Sequence, residues 1–190
     1  MNTSTNLARS YIKYLIENQI SDFVLSPGSR NAPLSIALNE AAEKGLIDLH
    51  IKIDERGAAY FALGLSKATD KYVVVICTSG TAVANYLPAA LESLHGQNKV
   101  LFLTADRPAR LRKTGANQTT NQVDIFNGIK THDLATFEPV ALSGGPIHIN
   151  LQFDEPLLSS DKSDWLAGIE IRNEVKVNSE LNKLNLEGNG

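Results

Sequence analysis

The sequence predicts an α/β protein of three layers, in which helices cover both faces of a mostly parallel central sheet. Short apolar runs, several of them rich in β-branched residues, alternate with longer runs that place apolar or small residues at helical spacing. Each apolar run ends in a turn of small and polar residues. This alternation indicates parallel strands, because successive parallel strands need a helix-length return to the start of the sheet.

The first predicted elements are two helices and two strands. Residues 3–18 place apolar side chains at helical intervals after a capping Asn, Thr or Ser. A strand over residues 22–25 ends in the turn 26–31, and a second helix begins at Pro33, a residue suited to a first helical turn. The next strand is expected over residues 48–53.

The pattern then repeats. A helix is predicted over 55–68, a strand buried on both faces over 72–77, and a helix over 82–94 that is broken near Pro88 and ended by Gly96. The fourth strand, 100–103, ends in the polar turn 104–108. The alternating run 147–151 is expected to be the last strand of the sheet.

Three segments have no clear pattern. Residues 114–122 are rich in amides and hydroxyls, so they form either a solvated loop or a binding loop. Residues 127–142 have weak periodicity and no clear caps. From Gln152 onward acidic residues predominate, and few apolar anchors remain beyond Trp165 and Leu166. We therefore predict a domain over 1–157 and a linker or tail over 158–190.

Composition excludes several classes of protein. The chain has 190 residues, 43% of them hydrophobic and 21% charged, which suits one globular domain with a sizeable core. The net charge of −3 gives no electrostatic reason to expect nucleic acid or an anionic membrane as a partner. No apolar run is long enough for a membrane span, and no signal peptide is recognised. The single cysteine, Cys77, excludes an intrachain disulfide, so we expect a cytoplasmic protein.

The polar turns are expected to share one rim, because the carboxyl ends of parallel strands gather at one edge, where ligands bind. These turns are residues 26–31, 54–57, 78–81 and 104–107. Glu55 is either an ordinary acid beside the helix cap Asp54 or a catalytic carboxylate. Arg30 and Arg107 either bind an anionic small molecule together with Gln118 or are exposed surface charges.

Other common sites are not indicated. The four histidines and one cysteine form no cluster with metal-ligand spacing, so no metal ligand is predicted. His95, His132 and His148 are interpreted as structural or exposed. Neither of the usual glycine-rich phosphate-binding motifs is present.

Five motifs in order resemble the amino-terminal domain of the menaquinone-pathway SEPHCHC synthase (MenD) family, a group of thiamine-diphosphate-dependent enzymes. The motifs are LSPGSRNAP from Leu25, IDERGAAYFALGL from Ile53, TSGTAVAN from Thr78, TADRP from Thr104 and TGANQT from Thr114. The resemblance extends over residues 7–157. One such motif would be weak evidence, but five in the same order are highly specific.

The resemblance implies the pyrimidine-binding (PYR) domain of a transferase that decarboxylates 2-oxoglutarate on thiamine diphosphate and adds the product to isochorismate. In the family, the glutamate matching Glu55 hydrogen-bonds N1′ of the cofactor's aminopyrimidine and promotes the imino tautomer that deprotonates the thiazolium carbon. This role leads us to expect Glu55 in an apolar surround that favours its protonated form. The other matching positions are Pro27, Ser79 and Gly80 for the cofactor, and Ser29, Arg30, Arg107, Asn117 and Gln118 for substrate.

The resemblance also implies what other parts of the enzyme contribute. Mg²⁺ and the cofactor's diphosphate would be held by a domain that this chain lacks, and residues 158–190 would lead toward a central domain. Each site would form between two subunits of a homodimer or tetramer, so the chain alone is expected to be inactive. Residues 126–145 are shorter than the family pattern.

Two alternatives remain beside this interpretation. One is a non-catalytic module of the same fold that binds a small molecule at the rim. The other is a related thiamine-diphosphate enzyme that uses a different 2-oxo acid. Arg30, Arg107 and Gln118 argue against the second, because they match the substrate positions of this family.

Overall fold

Six parallel strands form the central sheet of this protein, which a computed structural model describes over residues 3–169. The strands are β1 (Asp22–Leu25), β2 (Asp48–Ile51), β3 (Val73–Cys77), β4 (Val100–Asp106), β5 (Thr131–Leu134) and β6 (Ile147–Gln152). Their order across the sheet is β2-β1-β3-β4-β6-β5, with every neighbouring pair parallel. The predicted parallel sheet is confirmed.

Helices cover both faces of the sheet. They are α1 (Thr3–Glu17), α2 (Ala32–Glu43), α3 (Glu55–Thr69), α4 (Thr81–Ala84) and α5 (Leu87–Gly96), with a 3₁₀ turn at Ala109–Leu111. In β3, Val74 and Ile76 pack with α1 and α2, whereas Val75 and Cys77 pack with α3, α4 and α5. This alternation confirms the three layers and explains why the strand is apolar throughout. No helix within residues 3–169 is long and apolar enough to cross a membrane.

The helix ends follow local chemistry. Asp54 caps α3, as predicted, because its Oδ2 accepts a hydrogen bond from the Gly57 N–H at 2.6 Å. The predicted break near Pro88 separates α4 from α5, since proline has no N–H to donate to the carbonyl of Ala84. The second of these helices ends at Gly96, but Gln97 is the residue that takes the left-handed conformation, with φ 51°.

The bounds of two strands differ from the prediction. β2 ends at Ile51 rather than Ile53, which is 78% exposed. β4 continues through Asp106, so most of the predicted turn 104–107 is strand and the rim begins at Arg107. Thr104 and Asp106 are fully buried in this strand. Their side chains form hydrogen bonds with Asn150 on β6. These bonds offset the cost of burying polar groups, which is why the sequence alone predicted a turn here.

The segment 127–142, which has no sequence pattern, contains strand β5. This strand lies at the edge of the sheet and pairs only with β6 among the described strands. The run at 147–151 forms β6, the last strand of the sheet in the described part of the chain, as predicted, although in space it lies between β4 and β5. An edge strand of four partly buried residues leaves little periodicity for sequence analysis to detect.

Residues 158–169 lie against helices α1 and α2. The Arg9 guanidinium donates to Asp161 Oδ2 at 2.8 Å, and Lys44 Nζ lies 2.7 Å from Asp164 Oδ1. Trp165 donates to the Glu40 carboxylate, and Leu166 is buried in the core. The predicted domain boundary at residue 157 stays a prediction, and the rest of the predicted tail, residues 170–190, lies outside the described residues.

Candidate active site

The turns after β1 and β3 pack directly on each other at the carboxyl edge of the sheet. The N–H of Arg30 donates to Thr78 Oγ1 at 3.2 Å. A Cβ atom on Gly28 would lie 2.6 Å from Cβ of Thr78, so only glycine allows this approach. Buried Asn31 closes the first turn by accepting from the Gly28 N–H at 2.8 Å and donating to the Ser26 carbonyl at 2.9 Å. The first part of the predicted rim is therefore rigid.

Glu55 lies at the amino end of α3, half-buried at the border of this rim. Its Oε2 accepts a hydrogen bond from Asn85 Nδ2 at 3.4 Å, and Oε1 has no hydrogen-bond partner within residues 3–169. Cys77 and Tyr86 form a fully buried wall nearby. Burial raises the pKa of both side chains, and the negative charge of Glu55 adds to both shifts. Glu55 thus has a buried side and an open side, and the fully apolar surround stays a prediction for an assembled site.

Ser79 and Gly80 form the centre of the rim. Ser79 Oγ accepts from Arg107 Nη1 at 2.9 Å and donates to the Gln118 carbonyl at 3.1 Å. The Gln118 amide returns a hydrogen bond to the Ser79 carbonyl at 3.1 Å. Gly80 has φ 87°, and a Cβ there would lie 2.9 Å from the Gln118 carbonyl oxygen. A position predicted for the cofactor and two predicted for substrate are therefore in direct contact.

The two arginines converge at this rim. Arg107 Nη1 also donates to the Gln118 carbonyl at 2.9 Å. Arg30 Nη1 donates to the Phe153 carbonyl at 3.1 Å and lies 3.2 Å from Glu155 Oε1. Burial lowers the pKa of Arg107, and the positive charge of Arg30 lowers it further. Two guanidinium groups close enough to repel each other favour an anion between or beside them.

The remaining predicted site residues are exposed at the same rim. They are Pro27, Ser29 and Asn117. The side chains of Ser29 and Asn117 make no hydrogen bond to other residues in the described part of the chain, so their polar atoms face solvent. The structure therefore brings all nine predicted site residues to one edge of the sheet. Glu55 is hydrogen-bonded to Asn85, whereas Arg107 is hydrogen-bonded to Ser79 and Gln118.

A buried polar cluster beneath the rim was missed by the sequence analysis. Its members are Thr104, Asp106, Arg112, Gln122, Thr131, Asp133, His148, Asn150 and Gln152. His148 is fully buried, so its interpretation as structural is confirmed. The signal that could have revealed part of this cluster is the alternation in β6, where His148, Asn150 and Gln152 share one face.

No group of three or more His, Cys, Asp or Glu side chains within residues 3–169 is arranged to hold a metal ion. Beside the turn after β3 the two arginines, with Glu155 next to Arg30, suit an organic anion better than a cation.

Residues 5–125 match the family model of the thiamine pyrophosphate enzyme, N-terminal TPP binding domain. The chain belongs to this family. The match covers the turns that carry Glu55, Ser79, Arg107 and Gln118. The family membership confirms the predicted fold type and a domain that binds thiamine diphosphate.

The chain is also similar to curated proteins named 2-succinyl-5-enolpyruvyl-6-hydroxy-3-cyclohexene-1-carboxylate synthase. It is 46% identical to one from Nocardioides sp. over 167 residues, which are 88% of this chain and 30% of that protein. It is 40% identical to one from Saccharopolyspora erythraea, with 90% of this chain and 35% of that protein covered. A relative from Synechococcus sp. is 42% identical. The chain thus spans about a third of the length of the relatives it matches, and the resemblance to SEPHCHC synthases is confirmed.

The residues beside Glu55 fit the pyrimidine ring that this family binds. Glu55 offers an oxygen without a partner among the described residues, as an interaction with a ring nitrogen requires. Close by, the buried hydroxyl of Tyr86 faces Cys77 and Ser26, yet neither it nor the Ser26 hydroxyl forms a hydrogen bond of good geometry with described residues. Both hydroxyls belong to the buried wall beside Glu55, so the polar atom available to a ligand there is Glu55 Oε1.

Proposed function

We propose that this chain is the pyrimidine-binding part of a SEPHCHC synthase, a transferase that joins the decarboxylation product of 2-oxoglutarate to isochorismate. One contact carries the proposal: Ser79, predicted to bind the cofactor, accepts a hydrogen bond from Arg107, predicted to bind substrate, at 2.9 Å. A heterocycle and a carboxylate could therefore bind side by side. The names of the relatives support the same reaction.

Thiamine diphosphate, when bound, supplies a carbon acid whose conjugate base attacks a 2-oxo acid. Pro27, Ser79 and Gly80 would hold its pyrimidine ring. Glu55 would share a proton with a ring nitrogen through Oε1, while the amide of Asn85 orients the carboxylate through Oε2. Because Glu55 begins a helix whose cap is the adjacent Asp54, its backbone is fixed before any ligand binds.

The substrates proposed for this rim are dicarboxylates. Arg30 and Arg107 would each present a planar fork to a carboxylate, and Ser29, Asn117 and Gln118 would add neutral donors. The contacts of Arg107 with Ser79 and Gln118 hold its guanidinium at the rim before substrate arrives. Such preorganisation lowers the cost of binding.

Other parts of the enzyme belong to the proposal as well. A further domain would hold the diphosphate and Mg²⁺, and a second copy of the protein would complete each site in a homodimer or tetramer, so this chain alone would be inactive. We also place the enzyme in the cytoplasm, which agrees with a free, buried Cys77.

The proposal is tested with Glu55→Gln in the complete synthase that contains this chain. We expect this change to abolish carbon dioxide release from 2-oxoglutarate, because glutamine cannot exchange a proton with the ring nitrogen. Circular dichroism should show an unchanged fold. Glu92→Gln is the matched control, since Glu92 is an exposed carboxylate that pairs with Lys67 on the helical surface.

Full turnover by Glu55→Gln would contradict the proposal. Offering pyruvate in place of 2-oxoglutarate tests the alternative substrate class, and faster turnover of pyruvate would favour a related enzyme. Wild-type protein that binds isochorismate but releases no carbon dioxide would favour the non-catalytic module.

A further inference from the structure

The buried polar cluster lies directly beneath the turn that carries Ser79 and Gly80. Five of its side chains are fully buried: Thr104, Asp106, Gln122, His148 and Asn150. Burying so many polar groups is costly unless each finds its hydrogen-bond partners. The hydrogen bonds of these side chains lead from the strands of the sheet to the Gly80 N–H in the turn.

Gln122 is the link between the cluster and the rim. Its Oε1 accepts a hydrogen bond from the Gly80 N–H at 2.9 Å. Its Nε2 donates to the Ala105 carbonyl at 3.1 Å and to Asn150 Oδ1 at 2.8 Å. The amide cannot be reversed, because its NH₂ group would then meet the Gly80 N–H. One side chain therefore joins the turn after β3 to β4 and β6.

Asn150, which accepts from Gln122 through Oδ1, is also held through its Nδ2 group. Its Nδ2 donates to Asp106 Oδ2 at 3.0 Å and to Asp133 Oδ1 at 2.8 Å. Arg112 forms ion pairs with both carboxylates, with Nε 3.0 Å from Asp106 Oδ2 and Nη2 2.7 Å from Asp133 Oδ1. The group that anchors Gln122 thus cannot rotate without breaking charge-assisted hydrogen bonds.

The histidine of the cluster is neutral and is held by two threonine hydroxyls. Thr104 donates its proton to Asn150 Oδ1 at 2.7 Å, so it must accept from His148 Nε2 at 2.9 Å. His148 Nδ1 then accepts from Thr131 at 2.9 Å. Burial lowers the pKa of His148 to about 3, so the ring is neutral near pH 7. His148 therefore keeps one tautomer, with its proton on Nε2 directed at Thr104.

The backbone of Gly80 gains little support from the helix that follows it. Gly80 precedes α4, a helix of four residues, and no side chain caps that helix. A single helical turn is unstable by itself. Within the described residues, the hydrogen bond from the Gly80 N–H to Gln122 ties this turn to the buried polar cluster.

We propose that Gln122 is a positioning residue that fixes the Ser79–Gly80 turn for cofactor binding through the N–H of Gly80. The inference rests on the proposed function for the identity of the ligand, thiamine diphosphate. By holding Gly80, Gln122 also fixes the surface on which Gln118 packs, so cofactor and substrate positions keep their relative placement.

The test uses Gln122→Met in the complete protein, since methionine has similar length but offers no hydrogen bond to Gly80. Hydrogen exchange of the Gly80 amide should become at least tenfold faster in the cofactor-free protein. The Kd of thiamine diphosphate, measured by calorimetry, should rise about tenfold, as expected when a buried donor loses its partner.

Tyr72→Phe is the matched control. The Tyr72 hydroxyl also joins two segments, accepting from the Gly144 N–H at 2.9 Å and donating to the Gly145 carbonyl at 2.8 Å, but at the amino end of the sheet. We expect Tyr72→Phe to lower thermal stability while leaving unchanged the hydrogen exchange of the Gly80 amide and the Kd of thiamine diphosphate.

The outcomes separate this inference from a general structural effect. An unchanged exchange rate at Gly80 in Gln122→Met would overturn it, as would equal losses of affinity in both variants. If Gln122→Met does not fold, Gln122→Asn keeps an amide that is too short to reach both partners and should show the same two changes. Wild-type protein that binds no thiamine diphosphate would refute the proposed function, and exchange at Gly80 would still decide the role of Gln122.

Discussion

Removing the hydroxyl of Ser79 tests whether the proposed cofactor and substrate positions of the rim are coupled. In Ser79→Ala, Arg107 Nη1 loses an acceptor at 2.9 Å and the Gln118 carbonyl loses a donor at 3.1 Å. The direct bond from Arg107 to that carbonyl, at 2.9 Å, remains. The change therefore leaves the Gln118 carbonyl paired but frees the guanidinium to rotate about its remaining partner.

The expected magnitude follows from these contacts. A hydrogen bond to a charged group contributes about 1.5–3 kcal/mol to stability. Arg107 is only partly buried, so water replaces part of this interaction, and we expect Ser79→Ala to lower the free energy of unfolding by about 1 kcal/mol. A similar loss of preorganisation would raise KM about fivefold for the substrate whose carboxylate Arg107 is proposed to bind, with kcat changed less than about twofold.

The assay is steady-state kinetics of the complete synthase, with 2-oxoglutarate and isochorismate varied in turn. Ser93→Ala is the control, because it also removes a buried serine hydroxyl, but one that donates to the Ala89 carbonyl within α5. We expect the control to keep both KM values. Unchanged KM values for both substrates in Ser79→Ala would refute the conclusion that Ser79 orients Arg107.

Two further predictions concern stability. Asp54→Ala removes the cap bond to the Gly57 N–H at 2.6 Å and should lower the free energy of unfolding by about 1 kcal/mol in urea titrations; no change would show that the cap is dispensable. Burial raises the pKa of Asp133, but hydrogen bonds from Arg112 and Asn150 outweigh it and lower the pKa. The stability from this carboxylate is therefore present above its ordinary pKa of about 3.9 and lost as pH falls through the lowered value. Asp133→Asn should flatten the fall of the urea midpoint below about pH 4, and an unaltered acid profile would contradict this assignment.

The layers of the fold were predictable because burial imposes a period on the sequence. The β-branched run of β3 is buried on both faces, and Asp54 and Pro33 mark helix starts by local chemistry that needs no distant partner. The bounds of β4 were not predictable. Its last residues include Thr104 and Asp106, which belong in a turn unless a neighbouring strand supplies hydrogen-bond partners.

The same distinction holds for the site. The rim was predictable because parallel strands bring their polar turns to one edge, and the five motifs pointed to a ligand. The sequence alone could not predict whether residues 114–122 face solvent or pack against the other turns of the rim. The contacts of Gln118 with Ser79 and of Gln122 with Gly80 span 39 and 42 residues of sequence, and no local pattern encodes them.

The sequence by itself determined the α/β class, the family resemblance and the placement of Glu55, Arg30 and Arg107 on one rim. These follow from the period of apolar residues and from motifs that are contiguous in the chain. Only the tertiary structure decided that Ser79 touches Arg107 and that Gln122 holds Gly80. Such hydrogen bonds depend on which strands become neighbours, and the order β4-β6-β5 places β6, the last strand within residues 3–169, between two earlier ones.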